Sequence, residues 1–164
     1  MAKLVVLCGV PGSGKSYFSR SLREEKKGHV YIISSDQLRD LITGNQQNFE
    51  ADKIMWQMYY QLAKVYATDP NGIVVLDATN ISTDLRISKT EELKPYFSEI
   101  DLVVFNLPKE IVQEQNLNRD FPVPENVLEN FMDSIQMVTE EDKKYFAHIY
   151  LIKDHNIESV LKAI

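Results

Sequence analysis

Short apolar runs that end in glycine or polar residues alternate along this chain with segments whose apolar positions recur every three or four residues. Residues 4–8 (LVVLC) form one such run, closed by Gly9, and residues 16–25 carry Tyr17 or Phe18 and Leu22 at helical spacing, which predicts strand, loop, helix. YIIS at 31–34 predicts a second strand. SDQLRDLI at 35–42 predicts a helix capped by Ser34 or Ser35, because a serine hydroxyl accepts from a free first-turn N–H. Across residues 49–66, Phe49, Ile54, Trp56, Tyr59, Tyr60, Leu62, Ala63 and Tyr66 mark an amphipathic helix that Asp69-Pro70-Asn71-Gly72 stops. A third strand (72–80, GIVVLDATN) leads into a helix capped by Ser82 or Thr83. A fourth (100–107, IDLVVFNL) leads into a helix over 109–119, and Phe121-Pro122-Val123-Pro124 makes a stiff connection to another over 125–138. HIYLI at 148–152 and ESVLKAI at 158–164 add a last strand and helix.

Strands apolar on both faces and separated by helices indicate an α/β architecture: a five-stranded parallel sheet covered on each face and joined by right-handed crossovers. The 164 residues suit one domain spanning 1–164, with the loops around 39–49 and 119–124 as its moving parts. The single Cys8 excludes a disulfide framework or a cysteine zinc cluster, suits a reducing, cytoplasmic setting and reads as a packed core residue. No apolar run approaches the roughly 18 residues of a spanning helix, and nothing resembles a signal peptide, so the expectation is a soluble protein. A net charge of −6 argues against a surface that grips nucleic acid non-specifically, yet residues 1–27 hold six Lys or Arg against two Glu. A negative ligand is expected there.

Gly9-Val10-Pro11-Gly12-Ser13-Gly14-Lys15-Ser16 matches G-x-x-x-x-G-K-[ST], directly after a strand and opening a helix. Such a loop turns successive N–H groups inward as an anion nest, Lys15 reaches the β- and γ-phosphates, and the Ser16 hydroxyl completes a Mg²⁺ shell. ATP or GTP is implied, and the lack of an N-K-x-D sequence makes adenine the better guess. Asp77, at the end of an apolar strand, reads three ways: as a metal or water ligand, a turn former or a substrate contact. Asp36 and Arg39 stand three apart near the C-terminal end of the second strand. They form either a base with an anion-holding arginine or an ordinary surface ion pair.

Four ordered segments, GVPGSGKS, SSDQLR, DATN with Arg86 after it, and NLNR followed by PVPENVLENF, resemble the P-loop kinases typified by the 5′-kinase domain of bacteriophage polynucleotide kinase, with zeta-toxin and small-metabolite kinases as more distant relatives. The resemblance implies a three-layer P-loop NTPase of kinase type with a short helical lid at about 109–126. It implies Asp36 as the base that activates a 5′-hydroxyl, Arg39 on the acceptor's phosphate, Arg119 as the lid arginine on the transferring phosphoryl group, Asp77, Thr79 and Asn80 at the acceptor, and Arg86 as an added acceptor-side cation. It implies ATP and Mg²⁺ as cofactors and 5′-hydroxyl RNA or DNA as acceptor. A nucleoside or other small hydroxyl compound, or a nucleotide-binding role with little activity, are the alternatives.

The chain departs from that pattern where a second lid arginine is usual and Gln115 stands, and where F-E-x-P gives way to Val138-Thr139-Glu140-Glu141-Asp142. That acidic stretch suits a polyanion poorly. A polynucleotide acceptor would call for a positive groove joining Lys15, Arg39, Arg86 and Arg119. Trp56, Tyr59, Tyr60, Tyr66, Met132 and Met137 read as core, His29, His148 and His155 as structural or surface residues, and residues 140–144 as a solvated helix start.

Overall fold

The computed structural model describes every residue except His155, so the reading of that histidine lies outside the described residues. Five strands, β1 (Lys3–Cys8), β2 (Val30–Ser34), β3 (Ile73–Asp77), β4 (Glu99–Phe105) and β5 (Ile149–Ile152), pair in parallel in the order β2-β3-β1-β4-β5. Helices α1 (Lys15–Glu25), α2 (Ser35–Thr43), α3 (Asp52–Tyr66), α4 (Thr83–Glu91), α5 (Lys109–Leu117), α6 (Glu125–Ser134), α7 (Glu140–Tyr145) and α8 (Ile157–Ala163) connect and cover them.

The period-two geometry of a strand explains how one apolar run serves two layers. Leu4, Val6 and Cys8 of the central strand β1 point to the face covered by Leu38 of α2 and by Met55, Tyr59 and Ala63 of α3. Val5 and Leu7 point to the other, against Phe18 and Leu22 of α1 and Val160 and Leu161 of α8. The result is a three-layer α/β fold around the five-stranded parallel sheet expected from the pattern. A small third cluster, Val10, Val112 and Leu128, ties the loop after β1 to α5 and α6.

Local chemistry sets the boundaries. Ser34 caps α2, its hydroxyl accepting from Gln37 N at 3.3 Å, and Gly44 ends that helix at a φ of 76°. Ser82 caps α4 in the same way through Leu85 N. The helix predicted over 49–66 starts only at Asp52, and Phe49 is left exposed. Helix α6 stops at Ser134, where Ile135 turns extended. Tyr17 faces solvent whereas Phe18 is buried. Among the described residues no helix is long and apolar enough to cross a membrane.

The chain leaves β1 toward β2 on one side of the sheet and later passes from β3 to β4 on the other. Loops therefore diverge at the C-terminal ends of the central strands, where ligands collect in open α/β sheets.

Candidate active site

The loop after β1 is shaped for an anion. Gly12 and Gly14 adopt φ of 81° and 95°, which side-chain-bearing residues resist, and Gly14 caps α1 without any side-chain acceptor, so the first N–H groups of that helix stay available. A Cβ on Gly12 would stand 2.9 Å from Val112 O and 3.0 Å from Asn116 N, so α5 rests directly on the loop. Ser13 Oγ is buried there without a hydrogen-bond partner.

Lys15 Nζ folds back over the loop, donating to Gly9 O and Val10 O at 2.9 Å each. Burial drives its pKa down, the nearby Arg119 adds to this, and the Asp77 carboxylate only partly opposes it. Ser16 Oγ donates to Asp77 Oδ2 at 2.9 Å. Burial pushes the Asp77 pKa up, while Lys15 and the Ser16 hydrogen bond pull against that rise. A hydroxyl and a buried carboxylate side by side beneath a phosphate nest are the hard oxygen donors that Mg²⁺ takes alongside phosphate oxygens. These two residues fit that ion.

A second group of charges faces the loop from α2, the start of α3 and the segment after α5. Arg39 donates through Nη1 to Asp36 Oδ1 at 3.0 Å and forks onto Asp52 through Nε and Nη2 at 2.9 and 3.2 Å. Its guanidinium carbon lies 4.6 Å from the centre of the Phe49 ring and 5.9 Å from that of Trp56. Arg119 reaches Asp36 Oδ2 at 3.3 Å across the cleft. Asn116 positions the segment that carries Arg119, exchanging two hydrogen bonds with Val123, and Gln47 Nε2 touches Pro122 O at 3.4 Å. One cavity of about 750 Å³ joins the two groups and is lined by Lys15, Ser16, Asp36, Arg39, Asp77 and Arg119.

Of the residues singled out in the sequence, Pro11, Gly12, Ser13, Gly14 and Thr79 also line this cavity, and Gln115 sits at its edge near Gly14. Gly9 lies beneath, its N–H donating to Thr79 O. Two residues are placed elsewhere. Asn80, at a φ of 45°, turns its amide onto Leu7 O and Ala78 O and so braces the strand ends. Arg86 is wholly buried: it pairs with Asp142 at 2.7 Å and donates to Cys8 Sγ, Asn80 O, Gln136 O and Met137 O. The acceptor-side cation read from sequence is thus a core strut. Asp142 is correspondingly buried, and the solvated reading of 140–144 is corrected for it: with Thr139 it forms a capping box that starts α7 and meets Arg86. Lys15, Arg39 and Arg119 do share a cavity, but each faces a carboxylate and Arg86 takes no part. No continuous positive groove runs through these four residues.

Sequence reasoning passed over Asp52 and set Trp56 aside as core, although Trp56 lines the cavity and is only part-buried. The signal available was an aspartate thirteen residues after Arg39 at the start of a helix, which no local spacing rule connects to it. His29 and His148 are exposed, bonding Asp69 and Asp101. Glu99, Asp101 and His148 cluster at the N-terminal end of β4, away from the cavity, and Lys3 Nζ already sits 2.8 Å from Glu99 Oε1.

Comparison with known proteins agrees with this fold. A family model described as an AAA domain, AAA_33, matches residues 4–138. Kti12 of Chaetomium thermophilum, solved with ADP-AlF3, is similar with a TM-score of 0.70 and 20% identity over 98% of this chain and 94% of that one. A gluconokinase from Sinorhizobium meliloti 1021 aligns with a TM-score of 0.63 and 15% identity over 98% of this chain and 87% of that one. A chain of the Pnkp1/Rnl/Hen1 RNA repair complex aligns with a TM-score of 0.70 and 22% identity over 88% of this chain, which spans 46% of that longer one.

Proposed function

The chain belongs to the AAA_33 family of AAA domains, and we propose that it is a Mg²⁺- and ATP-dependent phosphotransferase that moves the γ-phosphoryl group to a hydroxyl. The observation that carries this reading is one cavity holding a phosphate nest and, across it, a carboxylate clamped by two arginines: Asp36 between Arg39 and Arg119.

In this mechanism the N–H groups of Gly12–Ser16 and the Lys15 ammonium bind the triphosphate, Lys15 leaving Gly9 O and Val10 O for phosphate oxygens. Ser16 and Asp77 would hold Mg²⁺, which supplies charge neutralisation at the β- and γ-phosphates. Asp36 accepts the proton of the acceptor hydroxyl as its oxygen attacks the γ-phosphorus and the bond to the bridging oxygen breaks, releasing ADP. A positioned base of this kind contributes about 10²–10⁴-fold. Arg119 is 3.3 Å from Asp36 and so close to the line of transfer, where it balances charge on the equatorial oxygens.

The acceptor favoured by the family resemblance is the 5′-hydroxyl of RNA or DNA. The aromatic rings of Phe49, Trp56 and Phe121 at the cavity support it as surfaces for a base, as does the likeness to a chain of an RNA repair complex. A small hydroxyl compound is the second reading, favoured by the two carboxylates already on Arg39. The test is transfer of labelled γ-phosphate from Mg-ATP to 5′-hydroxyl oligonucleotides, nucleosides and a panel of sugars and polyols, with Asp36→Asn as control. Transfer to any of them that falls at least a hundredfold in the variant supports the mechanism. Nucleotide binding with no acceptor phosphorylated would leave a nucleotide-binding protein instead.

A further inference from the structure

The acceptor arginine is the part of this site that is already satisfied. Arg39 is 8% exposed, and three of its nitrogens are engaged: Nε and Nη2 by the two oxygens of Asp52, Nη1 by Asp36. The planar fork that makes arginine a good phosphate ligand is therefore spent on an internal carboxylate of the same bidentate geometry. Phe49 covers the guanidinium from one side, and Trp56 stands beside it. With Asp36, Asp52, Arg39 and Arg119 taken together, the acceptor side is charge-balanced. Across the cavity, Lys15 is held by Gly9 O and Val10 O, and Asp77 accepts from Ser16.

We propose that Asp52 is a specificity-determining residue that occupies the anion position of Arg39, so that the site selects hydroxyl acceptors carrying no phosphate that would fall on Arg39 when the reacting hydroxyl is at Asp36. This rests on the reading of Asp36 as the base of a phosphotransferase, and it decides between the two acceptor classes in favour of the uncharged one. An incoming phosphate would have to displace a carboxylate that is held by two hydrogen bonds and anchored at the first turn of α3, and it would leave that carboxylate close to a second anion. A neutral acceptor meets no such competition: each Asp36 oxygen carries one arginine hydrogen bond and has a second lone pair for the hydroxyl, and Phe49, Trp56 and Phe121 offer apolar surface for the rest of the acceptor.

The test compares binding of uridine and uridine 3′-monophosphate, by calorimetry, to the protein loaded with a non-hydrolysable ATP analogue. It is made for wild type, Asp52→Asn and Asp52→Glu, each checked for its melting temperature and nucleotide affinity. Wild type is expected to bind the phosphorylated form no better than the nucleoside. Asp52→Asn keeps the shape but frees the fork, and is expected to shift the preference at least tenfold toward the 3′-phosphate. Asp52→Glu, which restores the carboxylate, is expected to return toward wild type. A wild type that already prefers the 3′-phosphate, or an Asp52→Asn variant whose preference does not move, overturns the proposal. Because the readout is binding, it stands apart from the phosphotransferase reading, whose failure shows as absence of transfer to every acceptor.

Discussion

Removing the Arg86 guanidinium tests whether that residue is a strut or a ligand. Arg86 and Asp142 are both fully buried, joined at 2.7 Å through Nη2 and Oδ2 and at 3.3 Å through Nε and Oδ1. Arg86→Met keeps much of the length of the side chain but leaves the Asp142 carboxylate without a counter-charge, and it leaves Asn80 O, Gln136 O and Met137 O without this donor. Breaking a buried pair from one side costs about 3–5 kcal/mol, a large part of the roughly 5–15 kcal/mol of a typical domain. At about 2–4 °C per kcal/mol for a chain of this size, the melting temperature is expected to drop by about 6–20 °C.

The pair also sets an acid dependence. Burial works to raise the Asp142 pKa, but hydrogen bonds from Arg86, Thr139 and Thr83 and the Arg86 charge outweigh it and hold the carboxyl below its ordinary value. A depressed folded-state pKa gives stability that is present above the unfolded value of about 3.9 and is lost as pH falls through the folded one. The gap between wild type and Arg86→Met should accordingly be widest at neutral pH and narrow as pH falls: in mild acid because burial without the guanidinium raises the Asp142 pKa of the variant and protonation relieves it, and in strong acid because wild type then loses its own pair. Thermal melts and urea titrations across pH 2–8 measure it. Arg86→Met melting within about 2 °C of wild type, with acceptor binding weakened, would refute this reasoning and return Arg86 to the acceptor side.

Three further expectations concern single positions. Gly12→Ala places a Cβ 2.9 Å from Val112 O at a φ of 81°, and should cost about 1–3 kcal/mol in urea unfolding together with weaker ATP binding, because the loop and α5 must separate. Lys15→Met should abolish most ATP affinity by equilibrium dialysis while leaving the melting temperature of the nucleotide-free protein unchanged or higher, since the wild-type ammonium is buried against carbonyls and its pKa is already lowered. Asp69 is held at about 2 by hydrogen bonds from His29 and Tyr31, so Asp69→Asn should remove stability seen above about pH 4 and flatten the loss that wild type shows as pH falls toward 2.

The layers of this fold are written in local sequence because each depends on short-range physics. Leu4, Val6 and Cys8 alternate with Val5 and Leu7, so one strand announces that both of its faces are covered. Ser34 and Ser82 announce the helices they cap. The phosphate loop is equally local, eight residues whose backbone does the binding. Asp52 and Asp142 were not legible, since their roles come from contacts 13 and 56 residues away that topology alone brings about. The helix start at 49 failed for a related reason. Phe49 fits the helical period but serves as a cover over Arg39, and the turn that places it there precedes the helix.

Charge gives the sharpest instance of that limit. Counted along the chain, Lys15, Arg39, Arg86 and Arg119 promise a positive groove, and Glu140, Glu141 and Asp142 an acidic patch that would oppose it. In three dimensions the two features cancel in pairs. Arg86 is consumed by Asp142 in the core, which removes one cation from the cavity and one anion from the surface in the same contact. Arg39 is consumed by Asp52 and shares Asp36 with Arg119. What remains for a ligand is Lys15 and the oriented backbone of the phosphate loop, and the latter draws its positive potential from N–H groups and a helix end that no count of Lys and Arg includes. The nucleotide therefore finds a fixed field at the loop. On the proposed reading, with Asp36 as base, the acceptor finds a charge-balanced, aromatic-edged pocket, and in such a pocket discrimination rests on which groups the acceptor lacks as much as on those it brings.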